Sequence, residues 1–169
     1  MRRAGPALAA ALLLPGCSAG EDPAPTPSEA TPDRAVPIVA DFPPLASKDC
    51  SEVVEFYLEA LGGREWARAA LVWSDPAIDA ARLEALFGGY RELQVAWPEP
   101  AVEGAAGSLY CTVSGTLTDA GDPVKAPIDG TLLLRRVNDV PGATADQLRW
   151  TLRSSTFVEP LERSDGSEP

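Results

Sequence analysis

The sequence predicts an α+β domain in which three N-terminal helices pack on an antiparallel sheet of about four strands. Apolar residues recur at helical spacing over residues 53–87 and alternate with polar residues from Leu93 onward. The clearest strand pattern lies in residues 130–157, where two β-rich runs, 131–137 and 148–157, flank a turn-forming segment. Such an arrangement is typical of a long antiparallel hairpin.

Three helices are expected in the first half of this domain. The first begins after a capping residue, Ser47 or Asp49, and stops at the glycine pair 62–63. The second is short and ends before Pro76, which suits the first turn of the next helix. The third helix runs from about residue 77 to residue 87.

The strands follow in the second half. A short run after Glu92 is stopped by Pro98 and Pro100. In residues 108–118, Cys111 shares an apolar face with Leu and Val side chains, while hydroxyl side chains form the opposite, wet face. Residues 124–128 begin the strand that leads into the hairpin.

The tip of the hairpin carries its own turn chemistry. Pro141 and Gly142 predict a type II turn, because proline presets φ and glycine tolerates φ > 0. Residues 144–147 have the spacing of a capping box, so one short helical turn is expected there.

Two sets of side chains in the domain have both a structural and a functional interpretation. The arginines of the hairpin are expected to form a solvated sheet face, with an anion or partner patch as the alternative. The tryptophans are expected to be core, with pocket lining as the alternative. The two sets are Arg135, Arg136, Arg149 and Arg153, and Trp66, Trp73, Trp97 and Trp150.

The composition excludes several function classes. The 169 residues suffice for one domain with extensions, and 25 acidic against 14 basic residues give a net charge of −11. Nucleic acid is therefore not an expected partner, because its affinity rests on phosphate neutralisation. The chain has no histidine, which removes an imidazole base and histidine metal ligands. The three cysteines are too far apart for a zinc cluster, so neither a metal nor another cofactor is expected.

Residues 1–16 have the pattern of a secretory signal peptide, with two arginines before an apolar run too short to span a bilayer. Residues 14–17, Leu-Pro-Gly-Cys, resemble the lipobox of bacterial lipoproteins. The resemblance implies that Cys17 is lipidated and becomes the mature N-terminus, held by several acyl chains. An ordinary signal peptide with a chance cysteine is the alternative. Ser18 favours the outer membrane, since aspartate at that position of resembling Gram-negative lipoproteins favours the inner membrane.

Residues 17–46 are expected to form a linker that holds the domain away from the membrane. Prolines recur through this segment among small and acidic residues, so it cannot build a core. The stretch 36–42 could dock onto the domain, but a disordered tail is the preferred interpretation. Residues 159–169 are expected to be a second disordered tail.

Cys50 and Cys111 are expected to form a disulfide bond. Export places the domain where disulfides persist, and lipidation of Cys17 leaves an even number of cysteines. Cys111 lies on the predicted core face of its strand, and Cys50 begins the helix expected to cross that face. Two buried free cysteines are the alternative.

The order of the helices and the segment Gly-Gly-Arg-Glu-Trp at 62–66 resemble the nuclear-transport-factor-2-like (cystatin-like) superfamily, over residues 47–158. The resemblance implies a cone in which a curved sheet wraps a long helix and leaves a pocket at its open end. Members include binding modules and enzymes such as ketosteroid isomerase, which combines an Asp base with a Tyr and a protonated Asp. Tyr57 is nearest to that tyrosine, but no pair of acidic strand residues on the core face matches the acids.

A second resemblance concerns the hairpin. The string at 135–143, together with Gln147 and Trp150, resembles one found in small lipoproteins of Gram-negative bacteria for which no activity is agreed. It therefore supports the lipoprotein assignment without supplying a reaction.

These observations lead to a functional expectation. The chain is expected to be a membrane-anchored cell-envelope lipoprotein on the periplasmic face of the outer membrane, with a non-catalytic binding or protein-interaction domain. Its partners are the membrane, through the lipid, and an envelope protein or small ligand. A lyase or isomerase that uses a carboxylate and a tyrosine in the cone pocket is the alternative. The candidate ligand-binding residues are Tyr57, Trp73, Tyr90, Arg136 and Trp150.

Overall fold

The structure, a computed structural model, describes residues 36–158. The predictions for the signal peptide 1–16, Cys17, the first part of the linker (residues 18–35) and the tail 159–169 lie outside the described residues. Within residues 36–158 the chain forms four α-helices: α1 (Cys50–Gly62), α2 (Trp66–Ala70), α3 (Ala80–Phe87) and α4 (Ala145–Leu148). In the same range it forms five strands: β1 (Leu93–Ala96), β2 (Ala101–Ala105), β3 (Ser108–Asp119), β4 (Ile128–Val137) and β5 (Thr151–Ser155).

The folded part begins earlier than predicted, because the last third of the expected linker packs on the domain. Two 3-10 turns, Val39–Asp41 and Pro43–Ala46, precede α1. Leu45 is fully buried, and the ring of Phe42 lies 5.2 Å from that of Phe56 on α1. Val39, Phe42 and Leu45 pack against the core from this short proline-rich stretch, so residues 39–46 lie on the folded domain, whereas Val36 and Ile38 are exposed.

The three predicted helices are present, with corrected ends. Asp49 caps α1, since its carboxylate accepts a hydrogen bond from the Ser51 N–H at 2.8 Å. The residue with left-handed backbone after α1 is Arg64, at φ 58°, rather than a glycine. The helix α3 starts at Ala80, capped by the Asp79 carboxylate, so Pro76 lies outside its first turn.

The sheet is antiparallel, and the described residues contain one strand more than predicted. The strands are ordered β1-β3-β4-β5, and β2 pairs with β3 beside β1. The prolines at 98 and 100 do end β1, but the chain then pairs again with β3 as β2. The sequence of β2, Ala-Val-Glu-Gly-Ala, has no alternation of apolar and polar residues, so the strand was not predicted. All five of its residues are exposed.

The hairpin between β4 and β5 confirms the predicted tip. Gly142 has φ 86°, as the turn requires, and Thr144 with Gln147 forms the capping box that starts α4. The strands themselves are shorter than predicted. Val124 is 91% exposed and precedes the first residue of β4, while Leu148 ends α4 before β5 begins.

The core lies between the helices and one face of the sheet, as predicted. On β3, Cys111, Val113 and Leu117 are buried against α1 and α3, while Thr112 and Ser114 are exposed on the other face. The predicted disulfide is confirmed: Cys50 and Cys111 are bonded, with their Cα atoms 6.5 Å apart. None of the helices within residues 36–158 is long and apolar enough to cross a bilayer.

Candidate functional site

The interior of the domain, where the cone pocket was expected, is filled. The cavity that remains beside Tyr57 measures about 10 Å³, and apolar side chains of α1, α3 and the strands make up most of its lining. Ligand sites are usually on the order of 300–1,000 Å³. The interior therefore has no room for a small molecule in this structure.

Tyr57 and Trp73 are part of this packed interior. Both are buried, and Trp73 Nε1 donates a hydrogen bond to the Tyr57 hydroxyl at 3.3 Å. Burial raises the pKa of Tyr57 well above its usual value of 10.0, although the Trp73 hydrogen bond acts in the opposite direction. No carboxylate lines the cavity among the described residues, so the acid-and-tyrosine pair of the isomerase alternative is not assembled there.

Arg136 and Trp150 meet at a different place, near the N-terminus of α1. The arginine is 4% exposed, with its guanidinium carbon 5.8 Å from the centre of the Trp150 ring. Arg136 Nη2 donates to Asp139 at 2.9 Å, and Lys48 Nζ donates to the same carboxylate at 2.7 Å. The Lys48 hydrogen bond, together with the Arg136 charge, holds the pKa of Asp139 below its usual 3.8.

The arginines therefore do not form one solvated face. Arg136 is buried, and Arg149 donates from Nη1 to the carbonyl oxygen of Leu71 at 3.1 Å. Arg153 is exposed, as predicted. Neighbouring residues on a strand point to opposite faces of the sheet, so Arg135 and Arg136 cannot share a surface.

Tyr90 lies at a third place, beside Asp119. The tyrosine is 4% exposed and Lys125 Nζ lies 3.2 Å from the centre of its ring. Burial, together with the nearby Asp119 charge, raises its pKa. The five candidate ligand-binding residues thus lie in three separate places, and their role in binding stays a prediction.

Asp119 is the buried carboxylic acid of this region, 5% exposed. Burial acts to raise its pKa, but hydrogen bonds donated by the backbone N–H groups of Glu92, Arg91 and Gly121 outweigh burial and hold the pKa below 3.8. Through these hydrogen bonds the carboxylate links the turn after β3 to the residues just before β1, so its role is structural.

A broad concavity lies on the exposed face of the sheet, across β3 and β4. We call it the outer groove; its volume is about 570 Å³. Four hydroxyl side chains, one carboxylate and two glycines make up most of its lining: Ser114, Thr116, Thr131, Thr156, Asp129, Gly115 and Gly130, with Ala96 and Pro98 at its rim. The hydroxyl face of β3 was predicted from the sequence, but this groove was not.

Cross-strand register assembles the outer groove. Ser114 faces Thr131, Gly115 faces Gly130 and Thr116 faces Asp129 across the β3–β4 pair. The glycine of β4 is required by packing, because a Cβ there would lie 2.5 Å from the buried ring of Phe157. Residues from three separate parts of the chain thus form one polar surface.

Two hydroxyl groups of the outer groove already take part in hydrogen bonds. Thr116 Oγ1 donates to Asp129 at 2.7 Å, and Thr156 Oγ1 accepts from the Thr131 N–H at 2.7 Å. Hydroxyl groups both donate and accept hydrogen bonds, which suits a neutral polar ligand. The lining has no basic side chain to hold an anion, and the chain has no histidine to activate a hydroxyl as a nucleophile. Within residues 36–158, no group of three or more acidic, cysteine or histidine side chains could hold a metal ion.

Comparisons with known proteins give distant likenesses only. No protein-family model and no curated protein matches the chain. Three similar solved structures are Bd1075 of Bdellovibrio bacteriovorus (11% identity, TM-score 0.45), a candidate dehydratase of the NTF2-like family from Streptomyces avermitilis (12%, 0.45), and a candidate calcium/calmodulin-dependent protein kinase type II association domain from Thiobacillus denitrificans (16%, 0.41).

These likenesses cover 63%, 63% and 62% of this chain, and 38%, 89% and 90% of the three others. The chain thus spans less than half of the Bd1075 structure. Because the TM-scores are below 0.5, the functional argument rests on the residues of this chain alone.

Proposed function

We propose that the chain is a lipid-anchored protein of the bacterial cell envelope whose folded domain is a non-catalytic binding module, and that the outer groove takes a neutral polyhydroxyl ligand such as a saccharide. The observation that carries the proposal is the contrast between the two sides of the sheet. The interior cavity of about 10 Å³ is too small for a ligand, while the outer groove of about 570 Å³ is open and lined by hydroxyl groups.

The proposed cellular location rests on the sequence of residues 1–17. The Cys50–Cys111 bond supports it, since stable disulfides are typical of exported proteins. The test is the Cys17→Ser variant, which should leave the membrane fraction or remain unprocessed, because the acyl chains that anchor the protein are attached to this thiol. A mature, processed variant that still fractionates with membranes would refute the lipid anchor.

The ligand in this proposal follows from the groove's side chains. A hydroxyl-rich lining matches the mixed donors and acceptors of a sugar, and the Asp129 carboxylate is a stronger acceptor than a neutral oxygen. The same carboxylate, in a groove without a basic side chain, disfavours an acidic sugar.

Titration with a panel of neutral and acidic oligosaccharides, followed by NMR shifts of the backbone amides, tests the ligand. Neutral members should shift the amides of Gly115 and Gly130 at the groove floor. Thr131→Val should weaken binding about two- to tenfold, the value of one hydrogen bond. The matched control is Thr112→Val, on the same face but outside the groove lining. Equal weakening by both variants, or no saturable shift at millimolar sugar, would contradict the proposed ligand.

A further inference from the structure

The outer side of β2 is an edge of the sheet, and no backbone hydrogen bond within residues 36–158 reaches it. At the opposite margin, β5 is flanked by residues 72–74: the Leu152 N–H donates to the Val72 carbonyl at 2.8 Å, and the Ser74 N–H donates to the Leu152 carbonyl at 3.0 Å. At β1, the end of α1 lies close, since a Cβ on Gly62 would be 3.4 Å from the carbonyl oxygen of Leu93. Along β2, every residue is exposed, and β3 is its sole strand partner among the described residues.

The register of the β2–β3 hairpin decides which backbone groups point outward. The turn has two residues, Ala106 and Gly107, and Ala105 faces Ser108 across it. In a two-residue hairpin the flanking pair is hydrogen-bonded, and paired positions then alternate between bonded and non-bonded. Ala105, Glu103 and Ala101 therefore bond to β3. Val102 and Gly104 direct their N–H and C=O groups away from it.

The outer side of β2 consequently presents two donors and two acceptors in a row. The two residues are about 7 Å apart along the strand, which is the repeat that an added strand needs. Native edges are usually protected by lysine, proline or a bulge. Here the side chains at 101, 104 and 105 are Ala, Gly and Ala, and Val102 is 52% exposed. Nothing in β2 itself blocks an incoming strand.

Charge identifies the kind of strand that fits. Glu103 is the one charged residue of β2, and it lies between the two outward-directed residues. A second copy of the chain is disfavoured, because the two-fold register that pairs all five residues puts Glu103 opposite Glu103, and like charges directly opposite are destabilising. The net charge of −11 adds to this repulsion. A basic residue opposite Glu103 would be stabilising instead.

We propose that β2 is a docking edge for an extended segment of another protein, which adds a strand to the sheet and carries a basic residue opposite Glu103. Main-chain hydrogen bonds to Val102 and Gly104 supply the affinity in this mode, and the cross-strand charge pair supplies selectivity. The edge is separate from the outer groove, which lies across the other end of β3. The two proposals can therefore fail independently.

The probe is the blocked peptide acetyl-Thr-Val-Lys-Val-Thr-amide, with a second peptide in which Glu replaces Lys. The full chain is titrated with each, while NMR follows the hydrogen exchange of single amides. The lysine peptide should slow exchange at Val102 and Gly104 by about tenfold at saturation, since both N–H groups become hydrogen-bonded. The glutamate peptide should bind more weakly.

Two variants at one position separate the backbone from the side chain. Val102→Pro removes an outward N–H and leaves the bonds to β3 intact, so it should fold and bind the lysine peptide about tenfold more weakly. Val102→Ala keeps the N–H and should bind within about twofold of the parent. If Val102→Pro does not fold, the exchange of the parent's Val102 and Gly104 amides decides alone.

Three results would overturn the proposal. The first is unchanged exchange at Val102 and Gly104 with the lysine peptide. The second is equal weakening by Val102→Pro and Val102→Ala. The third is concentration-dependent protection of these amides without peptide, which would mean that a second copy occupies the edge.

Discussion

Replacing Trp150 by alanine should remove a large part of the domain's stability. The side chain is 1% exposed, so the substitution removes an almost completely buried ring. Truncating a buried tryptophan to alanine lowers the free energy of unfolding by about 3–5 kcal/mol. The variant also leaves the carbonyl oxygen of Lys48 without the 2.9 Å hydrogen bond that Trp150 Nε1 donates, adding about 1 kcal/mol. Domains of this size are stable by about 5–15 kcal/mol, so the loss is a substantial fraction.

Urea unfolding followed by far-UV circular dichroism measures this loss, with the disulfide intact in every sample. With a slope of about 1–3 kcal/mol per molar urea, the midpoint should fall by more than about 1 M. Trp66→Ala is the matched control, because Trp66 is half-buried and should shift the midpoint less. Trp150→Phe keeps a ring but loses the N–H, and should lie between the parent and Trp150→Ala. An unchanged midpoint in Trp150→Ala would refute the core position of this side chain.

Three further predictions concern other parts of the domain. The double variant Cys50→Ala/Cys111→Ala should lose on the order of 4 kcal/mol in urea unfolding, because the bond closes a loop between residues 61 apart; the same midpoint as the parent would show that the bond does not constrain the unfolded chain. Ala106→Gly should raise stability by about 1 kcal/mol, since Ala106 has φ 45° and glycine adopts that region without strain; a lower urea midpoint would contradict this. The folded pKa of Asp119 is depressed, so its stabilisation is present above the unfolded pKa near 4 and is lost as pH falls through the lower folded value. Asp119→Asn should therefore show a flatter decline in melting temperature below about pH 4 than the parent, and parallel acid curves would refute the role of this carboxylate.

The sequence by itself determined the order of the helices and of four of the five strands, the hairpin with its capping box, and the facing of β3. Each of these follows from a local pattern: a helical repeat, a two-residue alternation or a turn residue. The disulfide could also be predicted, because assigning Cys17 to lipidation leaves Cys50 and Cys111 as partners. The alternation of residues in β3 places Cys111 on the face that the helices cover.

The tertiary structure alone decided where the proposed ligand and partner surfaces lie. The strand β2 is exposed on both faces and has no apolar pattern, so its pairing with β3 depends on a turn and on register. The outer groove combines Ser114, Thr131 and Thr156, which come together only through hydrogen bonding between strands. Burial of Arg136 likewise depends on Trp150 and Asp139, which are brought beside it by the hairpin. Local periodicity describes one element at a time, whereas these features depend on how separate elements are aligned.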